Sequence, residues 1–348
     1  MTRARARPTL PLMTQDALAL HRSLLTIDTH IDIPFPEGPS FFEETRRNVD
    51  LPKMKRGHMA AGCFAAYVAQ GARTPDANAA AFARATAMLK AIREMGATNQ
   101  GARVATTADE IEQAHRDGVT IIVPCVENGH ALGGHVENLR AFKELGAIYM
   151  TLTHFGHNAL GDSSNPRAEL GDKEEEHGGL SELGRQVVAE MNRLGMLVDI
   201  AHTSKKTMMQ AAKLSKTPVL STHSCIKALC DNPRNLDDEQ LDLLASVGGV
   251  VQITAVPGFL KTGGKIETVT VSDYCDHVDY AVKRIGIDHV GLSSDFDGGG
   301  GFTGWRDASE SHNLTAELAR RGYGPSQIAA LWGGNFLRLL RIAEKSAE

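Results

Sequence analysis

Several short apolar runs in this 348-residue chain end in side chains that bind metals or move protons. His30 and Asp32 close residues 24–32, Glu127 closes 119–127, His202 closes 197–202, His223 closes 219–223, and Asp295 follows 290–294. Imidazole nitrogen together with carboxylate oxygen suits Zn2+, and also Mn2+, Co2+ or Fe2+, better than the all-oxygen shell of Ca2+ or Mg2+. Any one histidine is more often an ordinary core or surface residue than a ligand. Six candidates placed alike form a pattern, and it predicts a metal centre built from His30, Asp32, Glu127, His202, His223 and Asp295. His154 closes residues 147–154 in the same manner.

The runs themselves read as strands. Four to eight apolar residues bounded by polar ones suit a fully buried parallel strand, and a helix is the usual connection between two of them. Residues 204–213 form such a helix between the runs ending at His202 and His223. Eight strands are expected, at 24–32, 60–68, 119–127, 147–154, 197–202, 219–223, 247–254 and 290–298. Helices are expected at 14–23, 76–95 and 181–193. This alternation, without a repeated motif, predicts an α/β fold with a single (β/α)8 barrel over residues 1–348, 1–23 leading in and 325–348 forming closing helices around a Gly333-Gly334 break. In such a barrel the carboxyl ends of the strands carry the chemistry. His30 and Asp32, two apart, would face the same side of their strand.

Composition narrows the function classes. With 42% apolar and 23% charged residues the chain can bury a core, and a net charge of −5 speaks against a nucleic-acid surface. Arg3, Arg5 and Arg7 form the basic cluster and read as a frayed terminus. No stretch reaches the ~18 apolar residues of a membrane helix, nor is there a signal-peptide core, so the expected compartment is the cytoplasm. A signal already removed would leave the same sequence. The five cysteines are odd in number and lack a Cys-x-x-Cys pair, which predicts buried free thiols. Residues 35–52 and 155–179 are polar and long, reading as loops over the barrel mouth, the second a substrate loop. The glycines at 298–301 lack a dinucleotide-turn context and read as a flexible loop.

Taken in order, the motifs Ile27-Asp28-Thr29-His30-Ile31-Asp32, Val126-Glu127-Asn128-Gly129-His130, Tyr149-Met150-Thr151-Leu152-Thr153-His154, Asp199-Ile200-Ala201-His202, Ser221-Thr222-His223-Ser224, Asn232-Pro233-Arg234-Asn235-Leu236, Gly291-Leu292-Ser293-Ser294-Asp295-Phe296-Asp297-Gly298 and Trp332-Gly333-Gly334-Asn335-Phe336 resemble the membrane (renal) dipeptidase family of zinc metallopeptidases. The resemblance spans nearly the whole chain. It implies a barrel of the metal-dependent amidohydrolase type with two zinc ions per chain. One would be held by His30, Asp32 and Glu127, with Asp295 on the same side, and the other by Glu127, His202 and His223. It further implies that a water between the two ions attacks the amide carbonyl as hydroxide. His154 would polarise that carbonyl, Asp295 would carry the proton to the leaving amine, and Arg234 would bind the free carboxylate of a dipeptide.

The sequence departs from the animal members of that family, which carry a Thr-Pro-Trp element after the histidine. Here Phe155-Gly156-His157-Asn158-Ala159-Leu160 follows, and the paired cysteines and lipid-anchor tail are missing, as in a soluble bacterial-type relative. The expected partner is a small dipeptide, with a D-residue at its C-terminal position as one option and opening of β-lactam rings as another, and not nucleic acid or a membrane. A homodimer stands beside a monomer as the assembly. Two rival functions remain at this stage: hydrolysis of an N-acyl amino acid, lactone or cyclic amide, and metal binding without catalysis.

Overall fold

A computed structural model of the chain describes residues 14–96 and 100–348; the basic cluster at Arg3, Arg5 and Arg7 lies outside the described residues. Among the described residues nine parallel strands form one sheet: β1 (Ile27–Asp32), β2 (Ala61–Tyr67), β3 (Ala102–Val104), β4 (Thr120–Glu127), β5 (Tyr149–Thr151), β6 (Leu197–Asp199), β7 (Leu220–Ser224), β8 (Val250–Ile253) and β9 (Val290–Leu292). Eight of them follow one another in the order β1-β2-β4-β5-β6-β7-β8-β9. The ring closes where Asp295 N donates to His30 O (3.1 Å) and Asp32 N to Phe296 O (3.0 Å). The architecture is therefore the (β/α)8 barrel that the alternation of runs predicts.

β3 is the addition. It pairs Ala102–Val104 with the first residues of β4, along the edge whose far end β5 takes up at Val126↔Met150. Three residues with one side exposed carry no strand signal, so the sequence could not reveal it.

Helices wrap the barrel and start where polar caps allow. Ser181 and Ser204 accept from Gly184 N and Thr207 N and open the helices Glu182–Arg193 and Lys205–Leu214. Thr107 with Glu110, and Asp237 with Gln240, form capping boxes for two others. The Gly333-Gly334 pair does not break the C-terminal helix. Residues Ala330–Gly334 form a π turn that continues into helix Asn335–Lys345. A Cβ on Gly333 would lie 2.6 Å from Leu25 O, so the missing side chain lets this turn seat on the entry to β1.

The core has two parts. Phe336, Leu337, Leu339, Leu340 and Ala343 plug the amino ends of the strands, packing with Ile27, Ala61, Ile121, Leu197, Leu220 and Val250. The larger part lies between strands and helices. The five cysteines are free and buried, as expected. No helix among the described residues is long and apolar enough to cross a membrane.

Candidate metal centre

All the side chains singled out from the sequence gather at the carboxyl end of the barrel, around Glu127. His30 and Asp32, on one side of β1, place Nε2 and Oδ1 4.0 Å apart. Glu127 ends β4, with Oε2 3.5 Å from His30 Nε2. Its Oε1 lies 3.1 Å from His202 Nε2, 3.5 Å from His223 Nε2 and 3.8 Å from His154 Nε2. His202, in the turn after β6, and His223, in β7, bring their Nε2 atoms to 2.7 Å. Nitrogen and oxygen donors within 4.8 Å of one another form two triples that share Glu127: one with His30 and His223, the other with His154 and His202. Asp32 and Asp295 fall outside both triples.

His202 and Asp295 do not lie in strands, since β6 and β9 stop at Asp199 and Leu292. Both sit in the turns that follow, at φ +62°, in the left-handed region that costs a residue with a side chain of order 1–3 kcal/mol unless its surroundings hold it. Those surroundings are present. Ser164 N donates to His202 O at 2.8 Å, and Gly300 N donates to Asp295 O at 2.7 Å. The glycine run is thus firmly bonded rather than flexible, with Gly301 N also donating to Ala255 O. A Cβ on Gly298 would stand 2.3 Å from Asp295 Oδ1 and 2.6 Å from Asp32 Oδ2, so the glycine leaves room for the two carboxylates.

The cluster fits a cation. His30 Nδ1 and Tyr149 Oη are 3.1 Å apart, and Tyr149 spends its one proton on Thr29 O at 2.8 Å. The tyrosine oxygen therefore accepts the Nδ1 proton, and His30 Nε2 is left to take either a second proton or a cation. That nitrogen and Asp32 Oδ1 are buried without a hydrogen-bond partner among the described residues. Burial and the nearby Glu127 push the Asp32 carboxyl up to about 7. Burial, opposed by His30 but reinforced by Asp32 and Glu127, raises Asp295 well above the carboxylate range. Burial works against charge on His30, yet Glu127, Asp295 and Asp32 lift it to about 10. Carboxylates crowded at one point in this way are what a dication relieves.

Asp32, Glu127, His154, His202 and Asp295 line a cavity of about 350 Å3, together with Tyr67, Phe155, Val256 and Phe259. Sequence reasoning put Phe155 in a substrate loop but missed Tyr67, Val256 and Phe259, because an apolar side chain after a strand reads the same whether it faces a core or a cavity. Burial holds the His154 imidazole near a pKa of about 4, hence neutral, and its ring packs beside Tyr67 and Phe155. Arg234 is buried, donates from Nη2 to His223 O (2.9 Å), and stacks over Phe259 with its guanidinium carbon 5.3 Å from the ring centre. Its Nε has no acceptor among the described residues. Asp297 turns away from the cavity and pairs with Arg47 at 3.0 Å.

The loop 155–179 is held from within. Asp162 accepts from Glu176 N, His177 N and Gly179 N, and Asp172 accepts from His157 N and Arg167 N, all at 2.8–3.1 Å. Ser163 Oγ donates to His154 O, tying the loop to the site.

Comparison with known proteins agrees with this geometry. A family model described as membrane dipeptidase (peptidase family M19) matches residues 14–348. Dipeptidase aclJ of Aspergillus oryzae is 33% identical over 314 residues, covering 88% of this chain and 72% of that protein. The probable dipeptidase PvdM from Pseudomonas aeruginosa has a similar structure, with a TM-score of 0.91 at 29% identity, over 96% of this chain and 99% of that one. A metallopeptidase from Rhodobacter sphaeroides, liganded with a phosphinate mimic of the dipeptide L-Ala-D-Ala, gives a TM-score of 0.79 at 26% identity, over 92% and 99% of the two chains.

Proposed function

The chain belongs to the membrane dipeptidase family (peptidase family M19) and is a metallo-dipeptidase; from that premise we propose that it holds two divalent cations across Glu127 and cleaves dipeptides with an L-residue first and an L- or D-residue second. Zinc is the expected ion, with Mn2+, Co2+ or Fe2+ as substitutes. His30, Asp32 and Glu127, with Asp295 beside them, would hold one cation, and Glu127, His202 and His223 the other. When bound, the cations supply Lewis acidity and bring the pKa of water toward ~7.

The protein's own groups divide the remaining work. His154 belongs to the substrate rather than to a cation in this reading, because its Nε2 is farther from Glu127 Oε1 (3.8 Å) than those of His202 and His223. As a neutral imidazole it would donate to the carbonyl oxygen of the scissile amide, where negative charge develops. Asp295 would take the proton from the attacking water and give it to the leaving amine. Arg234 would bind the free C-terminal carboxylate with its unspent donors, which selects dipeptides over longer chains. Phe155 and Phe259 would exclude bulk water. A D-residue at the second position is carried over from the Rhodobacter relative, whose ligand mimics L-Ala-D-Ala.

The observation that carries this reading is the convergence of three imidazole nitrogens on the two oxygens of one buried carboxylate. A dipeptide panel varied in stereochemistry at both positions, assayed with Zn2+, Mn2+ and Co2+ alongside elemental analysis, tests it. We expect close to two metals per chain and turnover of dipeptides with a free carboxylate. No turnover of any dipeptide, with any of these ions, would overturn it.

A further inference from the structure

We propose that Asp199, at the end of β6, is a positioning residue that fixes the proton of His223 through the hydroxyl of Thr222, and thereby governs retention of one of the two cations. The inference rests on the assignment of His223 to a cation site made above. Asp199 is fully buried and accepts four hydrogen bonds. Its Oδ1 takes Ala201 N at 3.0 Å and Thr222 N at 2.9 Å; its Oδ2 takes Thr151 Oγ1 at 2.5 Å and Thr222 Oγ1 at 2.7 Å. Thr222 Oγ1 also lies 2.8 Å from His223 Nδ1. A hydroxyl has a single proton, so once Thr222 gives it to Asp199 its oxygen can only accept. The proton of the imidazole is then held on Nδ1, and Nε2, which faces Glu127, is left as the lone pair that a cation needs.

One carboxylate thus orders the ends of β5, β6 and β7, just ahead of His154, His202 and His223. The effect is directional, because His202 Nδ1 has no partner among the described residues and receives no such instruction. His30 is set separately, by Tyr149. Breaking the relay with the charge of Asp199 kept should therefore weaken the cation at His223 and spare the one at His30.

The substitution Asp199→Asn reverses the relay without changing its shape. Both partners of Oδ1 are backbone N–H donors, so the new amide oxygen must stay there and the new NH2 must take the place of Oδ2. That NH2 would donate to Thr222 Oγ1. The hydroxyl would turn and donate to His223 Nδ1, and the imidazole proton would move to Nε2, where it blocks a cation. Asp199→Asn also removes a negative charge, which alone would weaken both cations, so Thr222→Val serves as a charge-neutral break and Thr222→Ser as the conservative rescue.

The test is titration of Zn2+ or Co2+ into chelator-stripped wild type and the three variants. Stoichiometry and both stepwise affinities are read, with circular dichroism for folding and 15N shifts of the imidazoles in the stripped proteins. Wild type should take up two cations. Thr222→Val should keep one step and weaken the other on the order of 10–100-fold, Asp199→Asn should weaken both but that same step by the larger factor, Thr222→Ser should match wild type, and the His223 proton should move from Nδ1 to Nε2 in Asp199→Asn. Should Asp199→Asn fail to fold, the Val and Ser pair decides alone. Two unaltered steps in Thr222→Val, or equal weakening of both, would overturn the proposal while leaving the cation sites standing. A wild type that takes up no second cation would instead overturn the reading beneath it.

Discussion

Arg234 is a buried guanidinium whose Nη2 is spent on a carbonyl oxygen while Nε has no acceptor among the described residues. Truncating one partner of a buried charge pair costs ~2–5 kcal/mol, so Arg234→Met should raise KM for dipeptides by about 100-fold, with kcat little changed. Steady-state kinetics on a dipeptide and on its C-terminal amide check this, the amide being nearly indifferent to the change; an unchanged KM for the dipeptide would remove the carboxylate contact. Asp295→Asn should retain much of its metal by elemental analysis and lose turnover by ~10²–10⁴-fold, the range for a positioned proton carrier. Near-normal kcat in that variant would reassign Asp295. At this scale the sequence was readable wherever a polar donor interrupts an apolar run, as at His30, Glu127 and His223. It was silent on Tyr67, Val256 and Phe259, whose chemistry does not distinguish wall from core. Asp199 opens the Asp199-Ile200-Ala201-His202 motif, but only the four groups bonded to it point to its role.

At the scale of elements, the eight strands of the ring were legible because each is buried on both faces and its side chains show it. Their lengths were not. His154, His202 and Asp295 lie in turns beyond β5, β6 and β9, since hydrophobicity continues past the last ladder bond. The Gly333-Gly334 pair shows how a local rule yields to packing. Glycine weakens an isolated helix, yet here it lets a π turn approach β1. Gly333→Ala would press a methyl group against Leu25 O and Ile27 Cγ1, at 2.6 and 3.0 Å. Overpacking of this kind costs ~1–3 kcal/mol. We expect a lower urea midpoint at unchanged m-value, with metal uptake unaffected because the site lies at the other end of the barrel. A midpoint equal to that of wild type would show that the turn has slack.

For the molecule as a whole, His21 couples acidity to stability. It joins the first helix to Gly57 O (2.8 Å) and Thr315 Oγ1 (2.7 Å), and Trp332 Nε1 donates to that same hydroxyl at 2.8 Å. Burial, with His312 and His58 adding to it against the Gly57 bond, lowers the imidazole to about 4 from 6.5. The unfolded chain therefore binds a proton that the folded one refuses. Its contribution is present above pH 6.5 and is lost as the pH falls toward 4, by about 3 kcal/mol. Denaturant titrations of metal-stripped wild type and His21→Gln at pH 7.5, 5.5 and 4.5 should show the variant declining less steeply; parallel curves would exclude His21 as the source. A different consequence follows from the way Asp162 and Asp172 gather the main chain of the 155–179 segment. The rim around the mouth is cast beforehand, so a guest enters a finished mould and forfeits little chain entropy on arrival. Preference among guests then turns on which atoms protrude inward, and recarving a single protrusion such as Phe155 would change the fit without waiting for any part of the backbone to fold over.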